Sequence, residues 1–325
     1  MFSRLGLCAL AALIGLGALV TGCAAKTIGS RAVAAHSSCH GVTFDQVSGP
    51  RPALAKPPLL PYDVSPAVCA AYWIKQVDDG FVPQSLAVAG GTAYVSGYKW
   101  ARRPRDRACQ LAVVDLRTGA TRAFVPRFEA PVYHPQPTFC RHGGGLELNA
   151  DGLWVAERSR LWLLDPSRLG RGDPVKRVWR LGPRLRGSTI VIDHGRLGLG
   201  SWRPHRPGRV AWMHLGRILA PGVTELDRPY AARRDPVNLQ GLTIGVGGLW
   251  FNSSSTHCAA LKAPGRSARA FVPGSEDIQL VGADLWTVSE AGAKNYLDTD
   301  EQIVPMLLRL DRRAVLAAPP AHCAW

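Results

Sequence analysis

An all-β fold, a single β-propeller of four-stranded blades, is what this 325-residue sequence predicts, and three observations predict it. Short runs of alternating apolar residues, separated by Gly, Asp, Pro and Arg, dominate from about residue 69 onward, and helical periodicity is almost absent. A fourteen-residue pattern returns five times without gaps: QSLAVAGGTAYVSG (84 to 97), GGLELNADGLWVAE (144 to 157), GSTIVIDHGRLGLG (187 to 200), QGLTIGVGGLWFNS (240 to 253) and EDIQLVGADLWTVS (276 to 289). Its aligned bulky positions, Tyr94, Trp154, Leu197, Trp250 and Trp286, lie 60, 43, 53 and 36 residues apart, against roughly 40 to 50 residues per blade in propeller repeats.

Each copy reads as two strands around a tight turn. The turn pairs are Gly90-Gly91, Asp151-Gly152, His194-Gly195, Gly247-Gly248 and Ala283-Asp284, mostly residues that tolerate the positive φ of two-residue hairpins. A second, outer pair of strands follows most copies, as in QLAVVDLRTGATRAFV (110 to 125), RLWLLDP with VKRVWRL, RVAWMHL, and MLLRLDRRAVL (306 to 316). Five repeats imply five or six blades: AAYWIKQV (70 to 77) either joins C-terminal strands in a sixth or closes a five-bladed ring. The rival architecture, an irregular β-sandwich, does not explain five aligned inner hairpins.

Ahead of the repeats, MFSRLGLCALAALIGLGALVTGCAAK carries one early charge, Arg4, then an apolar stretch from Leu5 to Val20 and small residues ending at Cys23. The stretch is shorter than the ~20 residues of a spanning helix, so a cleaved secretory signal is the stronger reading. Val20-Thr21-Gly22-Cys23 resembles the lipobox of bacterial lipoproteins, which implies cleavage before Cys23 and a lipid on its sulfur. Ordinary secretion, with Cys23 a spare thiol, is the alternative. The expected organisation is a signal peptide over 1–22, the lipidated cysteine and an Ala/Pro-rich tether over 23–68, and the propeller over 69–325. The protein is then exported and anchored to the bacterial cell membrane, on a leaflet the sequence does not specify.

Cysteine parity agrees with export. Setting aside Cys8 in the leader and Cys23 leaves Cys39, Cys69, Cys109, Cys140, Cys258 and Cys323, an even set that suggests three disulfides in an oxidising compartment. Six cysteines allow fifteen pairings. Sequential pairing is expected because it crosses the fewest repeat boundaries. Three of these cysteines adjoin histidines, but no CxxC spacing supports a metal at those pairs.

The net charge of +15 is diffuse, carried by arginines in ARRPRDR, RPHRPGR and AARRD. It favours anionic lipid head groups or cell-wall polymers as partners. Nucleic acid is a poor partner for an exported chain with no recognition helix or aromatic-basic motif.

In a propeller the innermost strands line a central channel, and ligands sit where loops converge at one mouth of it. The residue opening each repeat is Gln84, Gly144, Gly187, Gln240 or Glu276, and just after the bulky position come Ser96, Glu157, Asn252, Ser253, Ser289 and Glu290. Gln84, Glu157, Gln240, Asn252, Glu276 and Glu290 are therefore the channel-mouth candidates, able to hold a sugar-like ligand or a divalent cation through oxygen donors, or simply to bond strand ends and channel water. The run SEAGAKNYLD (289 to 298) is the least blade-like part of its repeat and suggests a ligand-facing loop.

The segments FVPQSLAVAGGTAYVSG and NLQGLTIGVGGLWFNSS resemble the blade starts of extracellular propellers related to gluconolactonases, strictosidine synthases and NHL-repeat proteins, over most of residues 80 to 316. In the gluconolactonase branch the resemblance implies a divalent cation, such as Ca²⁺, held by a first-blade Glu, Asn residues and an Asp. This chain has Gln84 in the first blade and Glu157, Asn252 and Glu290 elsewhere, a departure that counts against metal-dependent hydrolysis. No GxSxG, P-loop, HExxH or GxGxxG-helix motif occurs, and His134, His142 and His257 are the residual acid-base candidates. Two functions follow as expectations. The first is a binding or scaffolding propeller for an envelope protein or glycan, and the second is a propeller hydrolase or lactonase working at the channel.

Overall fold

Blade by blade, the strands form where the alternating runs predict them. The structure, a computed structural model, describes residues 39–132, 136–297 and 302–325. Blade 1 is Phe81–Ala89, Thr92–Lys99, Cys109–Asp115 and Thr121–Val125, in that order from the channel outward. Blade 2 is Gly145–Asn149, Gly152–Ala156, Arg160–Leu164 and Val175–Leu181, with the short Glu225–Leu226 added in parallel at its outer edge. Blade 3 runs through Thr189–Asp193, Arg196–Gly200, Pro207–His214 and Ala231–Val237, and blade 4 through Leu239–Gly245, Gly248–Ser255, Cys258–Lys262 and Arg269–Ala270. Blade 5 takes Ser275–Val281, Asp284–Ser289 and Leu307–Asp311 from the end of the chain, and its outermost strand, Val68–Tyr72, from before blade 1.

That last pairing settles the blade number at five. Val68–Tyr72 runs antiparallel to Leu307–Asp311 and closes the ring, so AAYWIKQV starts no sixth blade. The predicted outer strand at 306 to 316 is correspondingly shorter: after Asp311 the chain turns into a helix, Arg312–Leu316, with the Asp311 side chain accepting from Ala314 N at 2.9 Å. The outer edge it would have covered belongs to the closing strand.

Three hairpin turns sit one residue earlier than expected. The last paired residues are Asn149 and Gly152, Gly245 and Gly248, and Val281 and Asp284, so the turn pairs are 150–151, 246–247 and 282–283. Gly152 serves the strand rather than the turn, since a Cβ there would stand 2.4 Å from the Leu164 carbonyl oxygen of the neighbouring strand. Gly90-Gly91 and His194-Gly195 are turns as predicted, all four residues with positive φ.

The bulky repeat positions pack each sheet against its neighbours. Trp154 is fully buried and stacks on Trp179 of the same blade at 5.4 Å, in a cluster that also holds Leu197 of blade 3. Trp250 and Trp286 lie in the cluster that spans blades 4, 5 and 1, where Tyr72 of the closing strand stacks on Trp286 at 6.1 Å. The tether expected up to residue 68 is in large part folded: Phe44, Val47, Ala55 and Val64 are buried in this cluster, and Ser48 and Leu59 bridge to Tyr72 and Ile303. Its Ala/Pro-rich composition hid those spaced apolar residues, which cover the closing strand.

The disulfides are Cys39–Cys69, Cys109–Cys140 and Cys258–Cys323, the sequential pairing. They pin the segment before blade 1, the link between blades 1 and 2, and the C-terminal tail, in keeping with an oxidising compartment. Among the described residues no helix is long and apolar enough to cross a membrane. Cys23 and the leader lie outside the described residues.

Candidate ligand-binding site at the channel mouth

Strand register explains why a few polar residues reach the same place. In blades 1, 4 and 5 the pairing of the innermost strand shifts once, between Pro83 and Ser85, Leu239 and Gly241, and Ser275 and Asp277. The residues skipped by these bulges are Gln84, Gln240 and Glu276. A bulge frees one residue from the ladder and re-aims its side chain, and the repeat places it at the same point in three blades. Blades 2 and 3 offer no side chain there. A Cβ on Gly144 would meet the Ser188 carbonyl oxygen at 2.5 Å, and one on Gly187 would meet the Glu157 carbonyl oxygen at 2.6 Å, so adjacent blades touch backbone to backbone. At this repeat position the mouth carries polar side chains from blades 1, 4 and 5 only.

On that side four predicted residues form one chain of hydrogen bonds. Gln84 Nε2 donates to Glu290 Oε2 at 2.7 Å, Gln240 Nε2 donates to Glu276 Oε1 at 2.9 Å, and Glu276 and Glu290 bond each other. Glu276 and Glu290 are 3% and 8% exposed. Burial, then the neighbouring Glu290, pushes the Glu276 carboxyl well above the usual carboxylate range. Burial likewise raises Glu290 to about 7, against the Gln84 and Glu276 hydrogen bonds and the Arg107 charge, which favour its ionised form. Buried side by side, the two carboxyls disfavour carrying two charges, so burial and mutual repulsion hold a proton on the pair.

The other two candidates brace the site from outside this chain of bonds. Asn252 is buried and clasps Ser275, its Nδ2 donating to Ser275 O at 2.7 Å and its Oδ1 accepting from Ser275 Oγ at 3.0 Å, which ties blade 4 to the strand carrying Glu276. Glu157 is buried against Arg160 and accepts from Arg141 N, away from the Glu276–Glu290 pair in its bonding. Its carboxylate approaches Cys109 and Cys140, but their disulfide leaves no thiol for a metal.

Residues outside the six channel-mouth candidates form the wall. Tyr98, at the end of the second strand of blade 1, bonds Tyr296 hydroxyl to hydroxyl at 2.8 Å. The Arg107 guanidinium lies over the rings of Tyr98 and Trp100, at 5.0 and 4.4 Å. Trp100 meets Tyr296 edge to face at 5.7 Å. Tyr296 also bonds Glu290, so the wall is joined to the carboxyl pair. It belongs to SEAGAKNYLD, the loop expected to face a ligand. His142, held at φ 76, stacks on Tyr98 at 4.6 Å and keeps part of its surface exposed. Desolvation against the Tyr98 ring, then the Arg107 charge, lowers its pKa to about 4, so it is neutral at pH 7. His257 is exposed in the turn before Cys258, and His134 lies outside the described residues.

Deeper in the channel the acids are structural. Asp277 accepts from Ser85 Oγ and from Leu86 N at 3.3 Å, Gln279 from Val88 N at 2.5 Å, and Glu147 from Ile192 N. Each satisfies backbone groups on the open edge of the next blade's inner strand. Burial raises Glu147 to about 8 and Asp277 well above its ordinary value. Alternation at 275, 277 and 279 was the signal that could have found them.

The oxygen donors at the mouth do not fit the cation set that the gluconolactonase resemblance implies. Both glutamines turn N–H groups toward the carboxyls, the carboxyls bond each other, and the one candidate Asn is spent on Ser275. A Ca²⁺ site presents converging unprotonated oxygens instead. Elsewhere, a cleft of about 440 Å³ on the outer side of the fifth blade is lined largely by Ala and Pro, with His40 and Asp63 at its edge.

No protein-family model and no curated protein sequence matches the chain. Among solved structures it is similar to β-propellers. BamB from Moraxella catarrhalis is 12% identical with a TM-score of 0.32, over 70% of this chain and 58% of that one. A chain of the nidogen/laminin complex is 14% identical with a TM-score of 0.37, over 70% and 83%. A glucose dehydrogenase-like oxidoreductase from Thermus thermophilus is 12% identical with a TM-score of 0.37, over 76% and 87%. The chain thus spans less than two thirds of BamB, and likenesses at this level concern strand architecture alone. By its own strand order, the chain is a five-bladed β-propeller closed by Val68–Tyr72.

Proposed function

We propose that this is an exported, lipid-anchored binding propeller of the cell envelope, with a hydroxyl-rich glycan as the ligand of its channel mouth. One observation carries the reading: a proton-holding Glu276–Glu290 pair, flanked by Gln84 and Gln240, faces an aromatic wall of Trp100, Tyr98 and Tyr296. Aromatic faces pack against the C–H faces of sugars, and carboxyls and amides pair with hydroxyls as both donor and acceptor. Trp100 and Tyr296 are half-buried, which leaves ring surface for a ligand.

The engagement of the two carboxyls favours binding over glycoside hydrolysis. Both carboxyls are buried and engaged by a glutamine amide, Glu290 by Gln84 and Glu276 by Gln240, rather than open to an attacking water. A hydrolase whose carboxyl pair activates one water is the second reading, favoured by the sharing of a proton between two carboxyls.

Titration calorimetry with envelope glycan fragments separates the two. The binding reading expects saturable heat without turnover, and about tenfold weaker binding in Trp100→Ala, since one stacked ring contributes ~1 kcal/mol or more. Release of product ends that changes a fragment's mass, lost in Glu290→Gln, would instead establish the hydrolase. Anchoring is tested separately. Cys23→Ser is expected to move the protein from the membrane to the soluble fraction and to abolish fatty-acid labelling; unchanged labelling would end the lipoprotein reading.

A further inference from the structure

We propose that the end of the propeller opposite the mouth rests on an anionic phospholipid surface, with the hairpin tips of blades 4 and 5 at headgroup depth and the mouth pointing away from the membrane. The inference rests on the lipid-anchored reading and adds which face meets the bilayer.

The mouth lies where the innermost strands begin, and the two-residue hairpin turns mark the opposite end. Four large apolar side chains are exposed among the described residues, and three of them are at that end: Tyr230 at 47%, Val246 at 85% and Val281 at 39%. Val246 opens the turn of blade 4, and Val281 is the last paired residue before the turn of blade 5. The two hairpins touch just behind these valines, since a Cβ on Gly245 would stand 2.3 Å from Leu280 Cδ1. Tyr230 stacks at 4.2 Å on His214, which pairs with Arg196 beside the turn of blade 3. The fourth, Trp202, stands by itself at the mouth end of blade 3. Isolated exposed apolar side chains are ordinary, but three on consecutive blades at one end form a face that water does not favour.

Exposed arginines occur at both ends, so charge by itself does not orient the molecule. It does decide what the apolar tips can meet. Around them Arg217, Lys262, Arg266 and Arg313 are exposed and have no ion pair among the described residues. Of the exposed acids in the same sector, Glu225 and Asp227 pair with Arg180 and Arg228, which leaves Asp63 beside the closing strand. Cations around aliphatic and tyrosine tips match an anionic bilayer, whose headgroups take the charge while the tips enter the boundary with the acyl chains. The chain also enters here. The described residues begin at Cys39, bonded to Cys69 at the start of the closing strand, and Arg312 N donates to Ala283 O in the turn of blade 5 at 3.2 Å. Between the two opens the Ala- and Pro-lined cleft of about 440 Å³. Cys23 precedes Cys39 by sixteen positions, so a lipid on its sulfur tethers the molecule through this sector and brings a bilayer, rather than a partner protein, to the tips.

The test uses the full protein purified from cells and vesicles of phosphatidylglycerol and phosphatidylcholine that carry a doxyl-labelled quencher lipid. An NBD fluorophore is placed in turn on Val246→Cys, on Val281→Cys and, at the mouth, on Arg103→Cys. The labels at 246 and 281 are expected to be quenched several-fold more than the label at 103, and increasingly so as the phosphatidylglycerol fraction rises. Adding Val246→Asp, a change at an exposed turn, should bring the label at 281 down toward the level of the label at 103. Quenching at 103 equal to that at the tips would overturn the proposal. Shielding of the tips that grows with protein concentration without vesicles would overturn it too, and mark a second copy as their partner. Fatty-acid labelling of the same preparation separates the failures. If lipid is attached and the tips are not quenched, this inference falls by itself; if there is no lipid and no vesicle binding, the anchored reading falls and takes it along.

Discussion

Glu290→Gln is expected to stabilise the protein at pH 8 and leave it unchanged near pH 4. In the folded state the carboxyl is raised from 4.5 to about 7, so it keeps a proton that the unfolded chain has already given up. Stability from this group is fully present below the unfolded value and is lost as pH rises through the folded one, over the window from about 4.5 to 7. A shift of that size corresponds to roughly 3 kcal/mol at pH 8. Glutamine keeps the shape, accepts the Gln84 hydrogen bond and donates to Glu276, and never ionises. Calorimetric Tm values at pH 4, 6 and 8 give the check: the variant should gain several degrees at pH 8 only. A Tm difference independent of pH would mean that Glu290 is ionised in the fold. Glu276, Asp277 and Glu147 are raised in the same direction, so the wild type should lose stability across this range by more than one group's share.

Ala71→Asp should be the most damaging single change outside the site. Ala71 is 1% exposed in the closing strand, opposite Leu308, with its carbonyl accepting from Ser48 N at 2.9 Å. An aspartate there buries a charge with no partner on the one strand that joins the two ends of the ring, at a cost of about 4 kcal/mol or more. That is a large part of the ~5 to 15 kcal/mol of a folded domain, and a Tm loss of about 10 °C or more is expected. Ala70→Asp, half-buried on the other face of the strand, should cost much less. Equal losses for the two would mean that this strand does not close the ring through its buried face.

How far the sequence could be read depended on whether a residue acts through local pattern or through its neighbours in space. The inner hairpins were legible because alternation and turn chemistry are local. The disulfides were legible because sequential pairing respects the repeats. The mouth was half legible: Gln84, Gln240 and Glu276 share a repeat position and Glu290 follows one, but the repeat does not say that they bond. Tyr98, Trp100 and Arg107 left no such trace, since they come from a strand end and an irregular loop. Phe44 and Val64 were lost among Ala and Pro for a similar reason, because their burial is decided by a strand far along the chain.

By itself the sequence determined an all-β chain of five repeated hairpins with six pairable cysteines, because period-2 alternation, turn residues and cysteine spacing are properties of short stretches. Tertiary structure alone decided that the ring has five blades, since that depends on Val68–Tyr72 meeting Leu307–Asp311 across the whole chain. It alone brought Glu276 against Glu290 and Trp100 against Tyr296, because a bulge re-aims a side chain but only ring closure brings blade 1 beside blade 5.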